Sequence, residues 1–162
     1  MATFLLYWNP YFSSYKTDRF LEDFEFPEGE DVMLADDEHC FLFPGDFNWS
    51  IYEHEKAHEN DKFVFVKVGN AKPTGIVGVG YFRSDPYVDE DWSGQGRKVY
   101  YMDLEWEAVI KPMSDKILKA EVLAEAVPEV NWTGGHAGVE VSPEIAAKIE
   151  AVWNEHLSKV LG

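Results

Sequence analysis

Four tryptophans of this chain stand beside compact hydrogen-bonding residues in turn-like surroundings. Trp8 precedes Asn9-Pro10, Trp49 lies within Asn48-Trp49-Ser50, Trp92 within Asp91-Trp92-Ser93-Gly94, and Trp132 within Asn131-Trp132-Thr133-Gly134-Gly135. An indole offers a broad π face and one N–H donor. A hydroxyl or amide at its rim adds donors and acceptors. Stacking faces combined with a few placed polar groups line pockets for flat polar ligands, and a nucleobase is a ligand of that shape. The other two tryptophans, Trp106 and Trp153, fall in apolar stripes and are expected in the core.

The segment His54-Glu55-Lys56-Ala57-His58 matches H-E-x-x-H, in which two histidines one helical turn apart bind zinc and the glutamate is the general base. Such a helix sits in a core. Here Lys56 lies between the histidines, and Glu53, Glu59, Asn60 and Asp61 surround them. A solvated helix or turn before a strand is the plainer reading, and a metal-dependent hydrolase the remote alternative. Cys40 beside His39 would pair nucleophile with base, but neighbours in an extended chain point to opposite faces. Gly75, Gly78 and Gly80 lie in a strand pattern with no helix after them, which is the wrong order for a dinucleotide loop. The carboxylates are too numerous for one acid–base pair to stand out. No catalytic residue, cofactor or metal is expected, and binding without catalysis is the leading expectation.

The 162 residues are 46% apolar and 15% aromatic, enough for a single core. The apolar start of the chain is short and has no basic flank, so neither a signal peptide nor an anchor is expected. The longest apolar stretches, 63–68 and 75–82, fall far short of the roughly 20 residues that span a bilayer. One cysteine, Cys40, excludes an intrachain disulfide and fits a reducing, cytoplasmic setting. The formal charge of -16, from 14 basic and 30 acidic side chains, opposes duplex binding, which draws on phosphate neutralisation. The one compact basic spot is Arg97-Lys98, with Arg83 as a neighbour across the sheet. Nucleic acid would bind at that patch, as a single base, or through a more basic partner.

The elements that must position these residues follow from periodicity. Residues 4–8 read as a strand ended by Asn9-Pro10, and 15–26 as a short helix with Thr17 as N-cap. Residues 31–46 are expected to be irregular. Residues 62–68 suit a strand buried on both faces. In the strand 75–83, Gly78 and Gly80 share a face where something approaches the backbone closely or the sheet bends. Residues 84–96 read as a long polar loop, the kind that often carries function. Residues 98–110 alternate, with Tyr100, Met102, Leu104, Trp106, Ala108 and Ile110 on the core side, as in an antiparallel sheet with one wet face. Residues 121–127 read as a short helix. A last helix opens at Ser142-Pro143-Glu144, with Ile145, Ile149, Val152, Trp153 and Leu157 as its apolar stripe.

Taken in order, Phe4-Leu5-Leu6-Tyr7-Trp8-Asn9-Pro10, Asn48-Trp49-Ser50, the run 61–69, Gly75-Ile76-Val77-Gly78-Val79-Gly80, the run 101–106, the run 132–138 and Trp153 resemble the EVE type of PUA-like domain. EVE-like modules occur attached to HNH-type restriction nucleases, and the superfamily includes the YTH readers of methylated RNA, the SRA readers of methylated DNA and ASCH domains. The resemblance implies one PUA-like domain over 1–162. Its fold would be α+β, a small, curved, mostly antiparallel β-barrel with peripheral helices. It also implies a non-enzymatic module that recognises a modified base, such as a methylated one, in DNA or RNA, or a free nucleobase-like ligand. The pocket would draw on Trp8 and Asn9, Trp49 and Ser50, and Trp132 with Gly134, His136 and Gly138, closed by Trp92 and Ser93. Tryptophan faces would stack the base, Asn9 and Ser50 would read its polar edge, and the glycines would bring backbone N–H groups close. The implied partner is nucleic acid, with a nuclease as a second candidate. The rival reading is an acidic interaction subunit or DNA mimic docking on a basic partner.

Overall fold

A computed structural model describes residues 1–35, 47–90, 96 and 98–162. The strands are β1 (Thr3–Trp8), β2 (Val32–Leu34), β3 (Asn48–Ser50), β4 (Lys62–Lys67), β5 (Gly75–Phe82), β6 (Tyr87–Glu90), β7 (Lys98–Ile110), β8 (Leu118–Lys119) and β9 (Val139–Val141). The helices are α1 (Thr17–Phe24), α2 (Ala120–Ala126) and α3 (Pro143–Leu161). The main path runs β2-β7-β5-β4-β1-β9, and every pairing is antiparallel except β1 with β4.

The thirteen residues of β7 let it serve two neighbourhoods. Its first half takes β3 on one side and β6 on the other, and its second half takes β5 and β2. Register shifts at Phe65/Val66 and at Val79/Gly80 bend the sheet into a curve. The ring then closes without a further strand. Ile51 N–H donates to Tyr100 O (2.9 Å), Tyr52 N–H to Ala137 O (2.6 Å), Glu53 N–H to Gly138 O (3.0 Å), and Gly138 N–H to Leu5 O (2.7 Å). Residues 51–53 are thus the seam that joins β7 to the β1 side. The architecture is the α+β curved barrel that the sequence implies.

The interior is aromatic. Phe4, Leu6 and Trp8 of β1 lie in register with Phe63, Phe65 and Lys67 of β4, all on the inner face. Facing Phe65 and Phe63 across β4 are Gly78 and Gly80, where the indole of Trp106 and the ring of Phe63 fill the space that a Cβ would take. The close approach expected at these glycines is therefore made by Trp106 at Gly78, and by the Glu105 carbonyl and the Phe63 ring at Gly80. The outer face of the same strands carries α3, whose Ile149 and Trp153 line a cavity of about 70 Å³ with Thr3, Val64 and Val79. That explains why β1 and β4 are apolar on both parities.

Four expectations need correction. Tyr100, expected on the core side of β7, is exposed, because the core side of the strand begins at Met102. Thr17 is the first residue of α1, and the N-cap is Lys16, which makes no side-chain capping bond. The irregular stretch at 31–46 contains β2, because Val32 to Leu34 finds the end of β7; residues 36–46, with His39 and Cys40, lie outside the described residues. The long loop at 84–96 is interrupted by β6, whose Tyr87 to Glu90 pairs with Tyr101 to Lys98. At α3 the sequence was sufficient: Ser142 Oγ accepts from Ile145 N–H at 3.3 Å, and Pro143 opens the helix.

Candidate functional site

Trp8 and Trp49 enter the same aromatic cluster. Both rings approach Tyr15 (6.0 and 5.7 Å between centroids) and Phe65 (5.8 and 4.8 Å). Trp8 is 1% exposed, stacks on Phe20 at 5.2 Å, and donates its indole N–H to Tyr15 O at 2.8 Å. Its faces and its donor are thus occupied by the protein. Trp49, at 6% exposure, stands parallel to Phe47 (9°, 6.4 Å). Among the described residues no ring contact links Trp132 to either of them. Trp132 donates to Val127 O (2.9 Å) and lines a separate groove of about 590 Å³ with Gly69, Asn70, Lys72 and Thr133.

β3 presents its two expected site residues on opposite faces. Trp49, opposite Met102, points inward, while Ser50, opposite Tyr101, points outward with Asn48 and Asp103. The backbone sets a second distinction. Phe47 O accepts from Leu104 N–H and Ile51 N–H donates to Tyr100 O, so odd positions of this stretch bond β7. The N–H and C=O of Ser50 therefore aim away from β7, along the edge that Tyr52 uses to reach Ala137. On this edge, the polar groups beside Trp49 are the backbone N–H and C=O of Ser50, while its hydroxyl faces outward.

Of the remaining expected residues, His136 and Gly138 meet the seam, while Asn9 lies beside Gly69. Asn9 accepts from Tyr11 N–H through Oδ1 (3.0 Å) and packs where a Cβ on Gly69 would lie. His136 stacks on Tyr52, with centroids 4.0 Å apart and planes at 8°. Gly138, in the left-handed region at φ 83°, gives its N–H to Leu5 and leaves room for Ile51. Gly134 has open space around its Cα. Trp92 and Ser93 lie outside the described residues, as does Arg97. Of the expected basic spot, Arg83 is held by Glu105.

Two groupings were not anticipated. Asn48 Nδ2 donates to Tyr87 OH (2.9 Å), which donates to Asp103 Oδ1 (2.6 Å), tying β3, β6 and β7 together. Burial, then the Asp103 carboxylate, push the Tyr87 hydroxyl up to about 12. The alternation within Tyr87-Val88-Asp89 was the available signal for β6. The second is a stack of His54 on Tyr100 at 3.6 Å and 13°. It also settles the shape of the H-E-x-x-H segment: residues 52–56 form turns, so the two histidines are not one helical turn apart. His58 contributes its backbone N–H to Asp61 Oδ2 (2.9 Å).

No family model and no curated protein sequence matches the chain. Solved structures match its fold. They include a YTH domain-containing protein mmi1 and RNA complex (TM-score 0.52, 13% identity, 99% of this chain and 86% of that one). The Mmi1 YTH domain aligns at TM-score 0.52 with 12% identity over 98% of this chain and 78% of that one. An Mmi1 YTH domain complex with RNA aligns at 0.52 with 11% identity, over 98% and 80%. Identities this low speak for architecture alone: this chain has an α+β, PUA-like fold shared with these domains.

Proposed function

We propose that this protein is a nucleic-acid-binding module of EVE-like or YTH-like type that reads one modified, for example methylated, base without catalysis. The observation that carries the reading is the pairing at β3 of the Trp49 ring with the outward-aimed backbone edge of Ser50. Trp49 is 6% exposed and packed on Tyr15, Phe47 and Phe65, so a flat heterocycle meets the solvent-facing rim of this aromatic cluster, where the Ser50 N–H and C=O satisfy its polar edge. A methyl group on the base adds about 0.8 kcal/mol through the apolar surface it buries. The YTH domains of this fold solved as RNA complexes support nucleic acid as the partner. Trp8 and Trp132 serve this reading as structural supports, since their indole N–H groups are committed to Tyr15 and Val127.

Calorimetric titration with methylated and unmodified nucleosides and single-stranded oligonucleotides tests the reading. Preferential binding of one modified base, lost in Trp49→Ala and retained in Trp132→Phe, is the expected result. Absence of binding to the whole series overturns it. The -16 charge favours a second reading, docking on a basic protein such as a nuclease. A stoichiometric partner captured equally by wild type and Trp49→Ala is its signature.

A further inference from the structure

We propose that the two exposed ring stacks on the seam, Tyr52 with His136 and His54 with Tyr100, form a platform for the unpaired bases that flank the one read at Trp49. The preferred partner is then a single strand. This inference rests on the nucleic-acid reading above and extends it to a surface outside the base pocket.

One short segment carries both stacks, one toward each neighbour. Tyr52 turns to His136 beside β9, and His54 turns to Tyr100 on β7. Tyr52 is 60% exposed and Tyr100 38%. The exposure of Tyr52 leaves much of its ring surface open, that of Tyr100 leaves less, and in each pair the near-parallel partner ring fixes the orientation. The backbone bonds from Tyr52 to Ala137 and from Ile51 to Tyr100 hold both partner segments. The rings are therefore presented with little ordering left to lose on binding. The platform follows Trp49 and Ser50 directly in the chain, so a strand whose base enters there passes it.

The chemistry of the surroundings selects the partner. Glu53 binds Lys56 and the Glu140 N–H, and Glu55 lies 3.5 Å from His54 Nε2. Carboxylates at the margin disfavour a dense row of phosphates. Base faces stack on aromatic rings irrespective of sequence and of phosphate contacts. Only a single strand offers those faces.

The test uses the full chain, ten-nucleotide single strands of RNA and DNA carrying one methylated base, the matching duplexes, and the free methylated nucleoside. Tyr52→Ala and Tyr100→Ala remove exposed rings, and circular dichroism checks their folding. If Tyr100→Ala disturbs β7, Tyr52→Ala alone decides. We expect each to weaken oligonucleotide binding by about 5- to 150-fold and to leave nucleoside binding within about twofold. The salt dependence should be shallow, with a log–log slope no steeper than about -1.5, as for one or two phosphates. Oligonucleotide affinity unchanged by Tyr52→Ala, or duplex bound as tightly as single strand, overturns the platform and leaves the base pocket standing. Weakening by the tyrosine variants with no effect of Trp49→Ala keeps the platform and overturns the pocket. No binding by the wild type overturns both.

Discussion

The indole of Trp106 lies against the Cα of Gly78, at the spot where a Cβ would come within 2.4 Å of the ring. The two residues sit on neighbouring strands of the barrel wall, and the side chain of one occupies the space that the other leaves. Gly78→Ala should therefore overpack the interior and cost about 1–3 kcal/mol. Calorimetry reads this as a Tm lower by about 2–4 °C per kcal/mol for a chain of this size. The double variant with Trp106→Phe should cost less than the sum of the two single changes, because both act on one volume.

Lys67 gives a prediction in pH. Its ammonium is buried on the inner face and donates to Pro112 O at 2.8 Å, and burial lowers its pKa from 10.5 to about 8. Between these values the unfolded chain binds the proton and the folded chain releases it, so stability rises with pH across that window and is lost as pH falls through 8. The full shift corresponds to a few kcal/mol, on the order of 3. Above pH 10 the trend reverses, because Tyr7, Tyr15, Tyr81 and Tyr87 are all raised in the folded state and hold protons that the unfolded chain has lost. Urea denaturation from pH 7.5 to 10 should show the rise in wild type and a flatter profile in Lys67→Met.

Tyr87→Phe removes the hydroxyl that joins Asn48 to Asp103. A half-buried amide and a carboxylate then lose their partner, at a cost of about 1–3 kcal/mol. Hydrogen exchange should localise the loss to β6 and the adjoining half of β7. Ultraviolet titration of the wild type should show one phenol ionising near 12 that the variant lacks.

Ser142→Ala deletes the cap on α3 and should cost about 1 kcal/mol. Ser142→Asp should restore most of it, since aspartate accepts the same N–H and adds charge at the helix N-terminus. Equilibrium unfolding of the three proteins decides.

Periodicity carried the fold where burial is one-sided or complete. β7 alternates from Met102 to Ala108, β4 is apolar on both parities because α3 covers its outer face, and α3 announces itself by Ser142-Pro143. It failed where an element owes its existence to a partner. β2 and β6 are short, and each exists because β7 is long enough to pair with it. Of the tryptophan turns, those of Trp8 and Trp49 meet in one aromatic cluster, but the sequence did not give their side-chain orientation. Adjacency in sequence put Trp49 and Ser50 together, yet a strand sends them to opposite sides. The polar neighbours of Trp8 and Trp132 also misdirected, because both indoles use backbone carbonyls instead. Alternation put Tyr100 on the core side, where it does not lie, and Tyr52 gave no signal; their ring partners lie 46 and 84 positions away in the chain.

Because three amides from 51–53 do the work of a missing strand, the count of residues between Trp49 and the β9 contact is as constrained as their identity. One residue inserted or deleted there would slip the register. Inward and outward side chains would trade places, turning Tyr52 and His54 from their partners and bringing charged Glu53 to the positions they vacate. Length, here, is itself a determinant of shape.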